Sequence, residues 1–271
     1  MSLNVMSINA WGGKEWHALG EYLVKSDCDV ICLQEVFSAP FLASKTDWTS
    51  NNFELALFTQ VARSLPDHIG FFSPTSDRMG INYLGEFVDN STEVNQCSIG
   101  TAIFIRKGLK VDAVGDLFVY GNRNSRVNGI SQYAPKALQY AVVVKDNRKY
   151  NIFNFHGLWN GGGKKDCPER LQQSINIKSF LENFNKRKIL CGDFNLDPET
   201  ESVKILENSG KMLNLISKFG ITSTRTRLYR SHGTGSLYAD YFFVSPDILV
   251  EDFKVDPAEV SDHSPLVLTC S

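Results

Sequence analysis

The chain has 271 residues, of which 42% are hydrophobic and 21% are charged, a composition typical of a folded domain with a sizeable core. These proportions exclude a disordered, a collagen-like and a membrane-spanning chain. Lysine and arginine number 28 against 30 aspartate and glutamate, and the net charge of -2 provides no overall basic field for nucleic acid. A polyanionic substrate would therefore have to be bound by local groups.

The N-terminal segment and the cysteines predict a cytoplasmic protein. Residues 1–13 contain neither a basic leader nor an apolar run long enough for a signal peptide. The six cysteines include no Cys-x-x-Cys pair, and Cys32 and Cys191 lie in apolar, strand-like runs. We expect reduced core thiols, with a zinc site or a disulfide framework as the less favoured alternative. No linker or repeat divides the sequence, so residues 1–271 are expected to form a single domain.

Strand and helix patterns alternate along the first part of the chain. Residues 3–9 alternate apolar and polar side chains as a strand does, and an apolar stripe over residues 14–25 predicts a helix. The apolar run 29–35 predicts a buried strand that ends in the charged residue Glu35. Residues 53–65 have helical character.

The remainder of the chain contains more strands than helices. Residues 66–100 are rich in Gly, Pro, Asn, Asp and Ser, and they indicate a long surface loop with functional potential. A helix is predicted from Pro168 to about Asn183, and Asp197 with Pro198 is expected to cap another. Strands are predicted over residues 101–106, 139–144, 150–156, 188–193, 240–245 and 265–270.

Polar residues stand at the ends of several predicted strands. Four of them stand where a strand finishes, namely Asn9, Glu35, His156 and Asp193. Asp240 and Ser264 stand instead where their strands begin. A six-residue strand spans about 20 Å, so one shared site requires the last two strands to run against some of the others. The sequence therefore predicts an α/β fold with mixed sheets.

Two short motifs carry groups suited to catalysis. Asp193 and Asn195 are separated by one residue, which in an extended chain places both polar side chains on one face. Taken alone, an Asx turn explains this pair equally well. Asp262 and His263 place an acid beside an imidazole, where a hydrogen-bonded turn is the alternative. Asp240 opens an apolar strand and needs a partner, for which His263 is the candidate.

Six motifs, taken in order, resemble the signature of the endonuclease/exonuclease/phosphatase superfamily, whose fold is DNase I-like. They are Ser7-Ile-Asn9, Leu33-Gln-Glu-Val36, Asn154-Phe-His156, Cys191-Gly-Asp-Phe-Asn195, Ala239-Asp-Tyr-Phe-Phe-Val-Ser245 and Ser261-Asp-His-Ser-Pro265. The resemblance implies a four-layer sandwich of two packed mixed β-sheets flanked by helices. It also places the site at one end of the sandwich, in agreement with the strand ends.

The resemblance implies a metal site built from oxygen donors. Glu35 would be the main magnesium ligand, with Asn9 beside it and Asp262 on the metal or its waters. Magnesium suits such an oxygen-rich set, and manganese is the alternative cofactor.

The resemblance also implies catalytic roles. Asp193 would orient and deprotonate the attacking water, and Asn195 would hold a phosphate oxygen. His156 and His263 would stabilise charge on the phosphoryl group, and Asp240 would orient His263. The general base is either Asp193 or the Asp240–His263 pair, since branches of the family differ on this point.

Two segments are candidates for substrate binding. The loop over residues 157–165 could bring Trp159 to stack on a base and Lys164 to a phosphate, with Asn160 between them. A flexible connector is the alternative interpretation of this loop. Arg225 lies in a basic stretch that could form either a phosphate-binding rim or a solvated charged face.

Three classes of function are compatible with these motifs. The leading one is a metal-dependent phosphodiesterase or nuclease that hydrolyses a P–O bond of a phosphoester, with nucleic acid as one candidate substrate, by in-line attack of water. The alternative is a phosphatase or a sphingomyelinase-like phospholipase that acts on a small phosphoester or a lipid headgroup. A binding protein on the same scaffold is least favoured, because binding alone does not need acids and imidazoles around one cation. The sequence shows no amphipathic basic helix, so stable membrane insertion is not expected.

Overall fold

Two mixed β-sheets pack face to face and carry helices on their outer sides. The computed structural model describes residues 2–39, 49–50, 53–81, 87–88, 95–126, 129–209, 211–230 and 235–271. The predicted four-layer α/β sandwich is thereby confirmed.

Strands outnumber helices along the chain. The helices are α1 (Trp16–Lys25), α2 (Leu57–Ser64), α3 (Pro168–Leu181), α4 (Glu201–Lys204), α5 (Leu215–Lys218) and α6 (Arg227–Arg230). The strands are β1 (Leu3–Asn9), β2 (Val30–Ser38), β3 (Thr49–Ser50), β4 (Phe53–Glu54), β5 (His68–Ile81), β6 (Phe87–Val88), β7 (Asn95–Arg106), β8 (Lys110–Tyr120), β9 (Lys136–Lys145), β10 (Arg148–His156), β11 (Lys188–Asp193), β12 (Leu213–Asn214), β13 (Asp240–Val244), β14 (Val250–Val255) and β15 (Leu266–Cys270). A short 3₁₀ helix (Trp11–Gly13) follows β1, and a π-helical turn (Ile205–Ser209) follows α4.

The first sheet joins the N-terminal and C-terminal strands of the chain. Its order is β14-β15-β1-β2-β7-β5-β6. Strand β1 runs parallel to β2, with Asn9 opposite Gln34, and antiparallel to β15, with Ser7 opposite Leu266. The end of β1 therefore lies beside the start of β15, which His263 precedes.

The second sheet aligns three functional candidates on adjacent strands. Its order is β12-β13-β11-β10-β9-β8. Strand β10 runs parallel to β11 and places His156 opposite Asp193, whereas β13 runs antiparallel to β11 and places Asp240 opposite Asp193. Strands β13 and β15 thus run against their neighbours, as the positions of the polar residues require.

Apolar side chains anchor the helices to the outer faces of the sheets. Leu19 of α1 and Val61 of α2 belong to one buried cluster on the first sheet. On the second sheet, the ring of Phe180 lies 5.5 Å from that of Tyr140 and 6.2 Å from that of Phe153, measured between centroids. Each large side chain buried in this way stabilises the fold by about 1.5–3 kcal/mol.

A buried polar network joins the two sheets directly behind the functional strand ends. Gln34 of β2 donates from Nε2 to Oδ1 of Asn154 on β10, over 2.7 Å. The Asn154 amide donates in turn to two backbone carbonyl oxygens of the first sheet, both at 3.1 Å. Because Gln34 precedes Glu35 and Asn154 lies two residues before His156, this network sets the distance between those two side chains.

The prediction of a long surface loop over residues 66–100 is wrong. Residues 68–81 form β5 and pair with β7, while residues 82–86 and 89–94 lie outside the described residues. The composition is misleading because Pro74 lies at a register shift in the ladder, where a missing N–H donor is tolerated.

Two predicted helix starts are also wrong. Residues 53–54 form β4, and the helix begins only at Leu57. Helix α4 is preceded by Thr200 rather than capped by Asp197 and Pro198, and its first amides donate to the carboxylate of Asp166 at 2.7 and 3.0 Å. The carboxylate that stabilises this helix start is distant in sequence, so local spacing could not reveal it.

The cysteines behave as core side chains. All six are free thiols, five are buried and Cys167 is half-buried. Burial raises the pKa of Cys97 and of Cys270 to about 12, so both stay protonated at neutral pH. In the part of the chain that the structure describes, no helix combines the length and the apolar character that spanning a membrane requires.

We predict that Asn154→Leu lowers the free energy of unfolding by about 3 kcal/mol, because a side chain of similar size leaves several buried polar groups without partners. Urea denaturation checks this value. The matched control is Asn185→Leu at an exposed position, which is expected to change the stability by less than about 0.5 kcal/mol. Equal losses in the two variants would contradict the structural role of the network.

Candidate active site

Side chains from both sheets meet at one end of the sandwich. The amide of Asn9, at the end of β1, donates from Nδ2 to Glu35 Oε1 and to Asp193 Oδ2, each over 3.0 Å. Nε2 of His156 lies 3.8 Å from Glu35 Oε1 and 3.9 Å from Asp193 Oδ2. The Asn9 amide therefore connects a carboxylate of the first sheet to one of the second.

Glu35 occupies a bulge rather than the end of its strand. Strand β2 continues to Ser38, and its register with β7 shifts between Leu33 and Val36. Glu35 has a φ of 53°, a left-handed conformation that is unfavourable for a residue with a side chain. The bulge interrupts the alternation of the strand and leaves the Glu35 side chain 31% exposed at the site.

The end of β11 and the residues that follow it hold Asp193 close to the backbone. Gly192 has a φ of 139°, and a Cβ atom there would lie only 1.9 Å from the carbonyl oxygen of Phe155. Asn195 also has a positive φ, and its backbone N–H donates to Asp193 Oδ1 over 2.9 Å. The Asn195 side chain reaches the carbonyl oxygen of Gly157 at 3.5 Å. Asp193 is thus fixed by groups on its own loop as well as by the Asn9 amide.

The expected partner of His263 is present. Nδ1 of His263 lies 2.9 Å from both carboxylate oxygens of Asp240, and Thr224 Oγ1 donates to Asp240 Oδ2 over 2.9 Å. This pairing leaves Nε2 of His263 facing the site, 3.6 Å from Asp193 Oδ2 and 3.8 Å from Asp262 Oδ1. The imidazole is oriented by one carboxylate and presents its second nitrogen to two others.

The two site histidines have opposite pKa shifts. Burial opposes the charge on His263, but Asp240 and Asp193 outweigh it and the pKa of His263 is raised. Burial and the charge of Lys136 lower the pKa of His156 to about 3. The structure therefore favours the protonated form of His263 and the neutral form of His156.

The two central carboxylates also differ in their pKa. Burial would raise the pKa of Asp193, but the charges of His263, His156 and Arg225 exceed that effect and lower it. The pKa of Glu35 is raised by burial and by repulsion from Asp193, in spite of the Asn9 hydrogen bond. Glu35 is thus the carboxylate with the least compensating positive charge.

Several donor atoms of this site are close enough to share a cation. One ligand atom each from Glu35, His156 and Asp193 lie within 4.8 Å of one another, and so do atoms of Asp193, Asp240 and His263. The Asn9 oxygen accepts from the backbone N–H of Trp11, so its NH₂ group faces the two carboxylates.

Two predicted substrate-binding cations lie beside the site. Arg225 donates from Nη1 to Asp262 Oδ2 over 3.0 Å, and its guanidinium lies 4.3 Å from the ring centroid of Tyr229. Lys164 is buried and donates to the carbonyl oxygen of Tyr238. The charges of both cations act on Asp193, which places them at the same centre.

A buried arginine that sequence reasoning missed forms hydrogen bonds to the backbone of the loop that carries Lys164. Arg170 of α3 donates to the carbonyl oxygens of Leu158, Gly163 and Lys165. An arginine on the buried side of a helix is rare unless it satisfies such oxygens, and this rarity is the signal that could have revealed it.

The outer part of the same loop contains an exposed ring and an amide that bonds locally. Trp159 is 51% exposed, and the Asn160 side chain bonds within its surroundings, to Gly162 N–H and Cys167 Sγ. The roles of Trp159 and Asn160 in substrate binding therefore stay predictions.

Sequence reasoning also missed Lys136, the first residue of β9. Its side chain is buried, and burial lowers its pKa to about 8 although Glu35 and Asp193 favour its charge. A lysine before an apolar strand gives no local signal of burial, because such residues usually remain in solvent.

Comparisons with known proteins agree with the fold and with the motifs. The model of the Endonuclease/Exonuclease/phosphatase family matches residues 3–263, and the chain belongs to this family. None of the curated proteins compared with the chain matches it.

Solved structures of several family members share the fold. A mannosyl-6-phosphatase of Bacteroides thetaiotaomicron is 18% identical with a TM-score of 0.69, covering 99% of each chain. The catalytic domain of human Nocturnin with bound sulfate is 19% identical with a TM-score of 0.65, over 100% of this chain and 93% of that one. The TDP2 protein of D. rerio with a single-strand DNA product is 17% identical with a TM-score of 0.63, over 100% and 99%.

We predict that NMR titration of the metal-free protein in EDTA shows His263 losing its proton at a pH above the ordinary pKa of histidine. His156 should stay neutral down to strongly acidic pH. The contribution of His263 to stability is then fully present below its unfolded pKa and is lost as pH rises through its raised pKa. Asp240→Asn should lower the pKa of His263, whereas Asp247→Asn, beyond the other end of β13, should not. Titration of wild-type His263 at or below the ordinary value would contradict this assignment.

We predict that Arg170→Met loosens the loop over residues 157–165 without unfolding the chain. Loss of the donors to three carbonyl oxygens should accelerate hydrogen–deuterium exchange of the loop amides by on the order of tenfold. Lys178→Met on the same helix, where Lys178 forms an i,i+4 ion pair with Glu182, is the control and should leave the exchange unchanged. Equal exchange in wild type and Arg170→Met would show that the loop is held by other contacts.

Proposed function

We propose that the protein is a divalent-metal-dependent phosphodiesterase or nuclease that hydrolyses a P–O bond by in-line attack of water. The observation that carries this proposal is the meeting of Glu35, Asp193 and His263 from two sheets within a few ångströms. Hydrolysis of a phosphoester needs a positioned base, a cation and donors for the phosphoryl oxygens. These side chains, with the neighbouring Lys164 and Arg225, supply the groups that bind the cation and the phosphate.

Glu35 fits a magnesium ligand best. It is partly exposed, and its pKa is raised by burial and then by repulsion from Asp193, both of which a bound cation would offset. Asn9 and Asp262 would complete the oxygen set, Asn9 by turning its amide oxygen from the Trp11 N–H towards the site. A bound magnesium or manganese ion would supply Lewis-acid stabilisation of charge on a phosphoryl oxygen.

Asp193 is the residue we assign to the attacking water. Asp193 stays ionised because its pKa is lowered, whereas the raised pKa of His263 favours its protonated form, which has no free lone pair, and we therefore assign the base to Asp193. As the water oxygen bonds to phosphorus, its proton passes to Asp193 and the bond to the leaving oxygen breaks. His263 donates from Nε2 to a phosphoryl oxygen, and Asn195 and the neutral His156 hold the remaining oxygens.

A nucleic acid or a nucleotide-like diester is the substrate class we favour. Trp159 offers an exposed ring for base stacking on the loop that also presents Lys164. The structural relatives include a protein solved with a single-strand DNA product and a mannosyl-6-phosphatase, so a phosphomonoester is the second candidate. We also propose a cytoplasmic location, which the free, mostly buried thiols support.

We predict that the wild type hydrolyses bis-nitrophenyl phosphate, DNA or RNA with magnesium or manganese, and that EDTA abolishes the activity. Glu35→Gln and Asp193→Asn should each lower kcat/KM by about a thousandfold, which corresponds to a loss of about 4 kcal/mol in transition-state stabilisation. Glu182→Gln, at the exposed residue that follows α3, is the control and should match the wild type.

The substrates separate the three classes of function. Cleavage of nucleic acid supports the nuclease, and cleavage of nitrophenyl phosphate alone would replace it by a phosphatase. An inactive wild type on every phosphoester, with either metal, would leave a binding protein.

A further inference from the structure

Lys136 is a mostly buried lysine beside the active site. It is only 7% exposed, and it lies two residues before Leu138, which pairs with Phe155 beside His156. Its charge acts on Glu35, Asp193 and His156. Lys136 therefore belongs to the site by position, although no catalytic motif contains it.

The ammonium of Lys136 has no direct partner among the described residues. It makes no hydrogen bond and no ion pair within 4.0 Å there, whereas the half-buried Lys145 bonds to Asp29 at 2.6 Å and the buried Lys164 bonds to Tyr238. Holding the charge of a mostly buried side chain is unfavourable unless the charged group is solvated, paired or bound to a ligand.

The neighbouring carboxylates do not fill this role. Asp193 accepts hydrogen bonds on both oxygens, from the Asn9 amide and from the N–H of Asn195. Glu35 accepts from Asn9 and is the expected metal ligand. Among the described residues Lys136 is therefore left without a paired anion, which an anion that enters the site from solvent would supply.

We propose that Lys136 is a substrate-binding residue whose ammonium contacts a non-bridging oxygen of a phosphate or phosphoester, on the Glu35 side of the site. This inference rests on the proposed function, because it takes the ligand to be the phosphoryl group. The charge of Lys136 acts on Glu35, while the charge of Lys164 acts on Asp240, so the two lysines would grip the phosphoryl group from different sides. The pair of lysines provides the local positive charge that the near-neutral chain lacks overall.

Phosphate binding in the absence of metal tests the proposal. Inorganic phosphate is titrated into the protein in EDTA by calorimetry, with wild type, Lys136→Gln and Lys136→Arg. Lys136→Gln should weaken phosphate binding by about tenfold or more, and Lys136→Arg, which keeps the charge, should stay within about threefold of wild type. The matched control is Lys149→Gln, at the opposite end of the adjacent strand β10, and it should bind phosphate as the wild type does.

Magnesium affinity distinguishes binding from a structural role. An ammonium near Glu35 repels a cation, so Lys136→Gln should bind magnesium as tightly as the wild type or more tightly while it binds phosphate less tightly. Weaker binding of both ligands would mean that the site is distorted, and it would overturn the proposal. A wild type that binds no phosphate, or a Lys136→Gln variant that binds it equally well, would also overturn it.

Hydrolysis separates this proposal from the proposed function. With saturating magnesium, Lys136→Gln should lower kcat/KM on the preferred phosphoester, and Lys136→Arg should restore most of it. Phosphate binding that depends on Lys136 in a wild type without phosphoesterase activity would refute the function and uphold the anion site. Full activity in Lys136→Gln would overturn the role of Lys136 and leave the function intact.

Discussion

The hydrogen bond between Gln34 and Asn154 is the contact on which the site depends. It crosses the interior between the sheets, where each amide would be costly to bury without a partner. Apolar packing allows two sheets to slide by small amounts, since it is not directional, whereas a network of amides and carbonyl oxygens accepts one registration only. Because Glu35 follows Gln34 directly and His156 lies two residues after Asn154, that registration brings carboxylate and imidazole within 3.8 Å.

The charges of the site are arranged so that a cation and an anion are both needed to balance them. Asp240 neutralises His263, and Arg225 neutralises Asp262, over 2.9 and 3.0 Å. After these pairs are counted, Glu35 has only the neutral His156 within 4.0 Å among the basic side chains of the described residues, and Lys136 has no described carboxylate within that distance. The dielectric constant at the wall of the site is low, so both uncompensated charges are costly. Binding a metal ion and a phosphate together would neutralise both charges, whereas either ligand alone would neutralise one.

Much of this arrangement could be predicted from the sequence, because the strand ends and the six motifs are local patterns. The mixed sheets followed from the positions of Asp193 and Asp240 relative to their strands, and the register of β11 with β13 confirms that argument. What could not be predicted depends on contacts between distant residues. Strand β5 contains glycine, proline and serine and is a strand only because β7 pairs with it. Glu35 looked like a strand end because a bulge is invisible in composition.

The site also joins the two ends of the chain. Asn9 ends β1, and Ser261 Oγ donates to the Asn9 carbonyl oxygen over 2.7 Å, just before His263 and the last strand. Strand β15 pairs with β1 in the first sheet, so the positions of Asn9 and His263 depend on the pairing of the first and last strands of the chain. Closing a contact between residues about 250 positions apart has a high entropic cost, which the rest of the fold must offset. The side chains proposed to bind metal and phosphate therefore depend on pairing between the two ends of the chain.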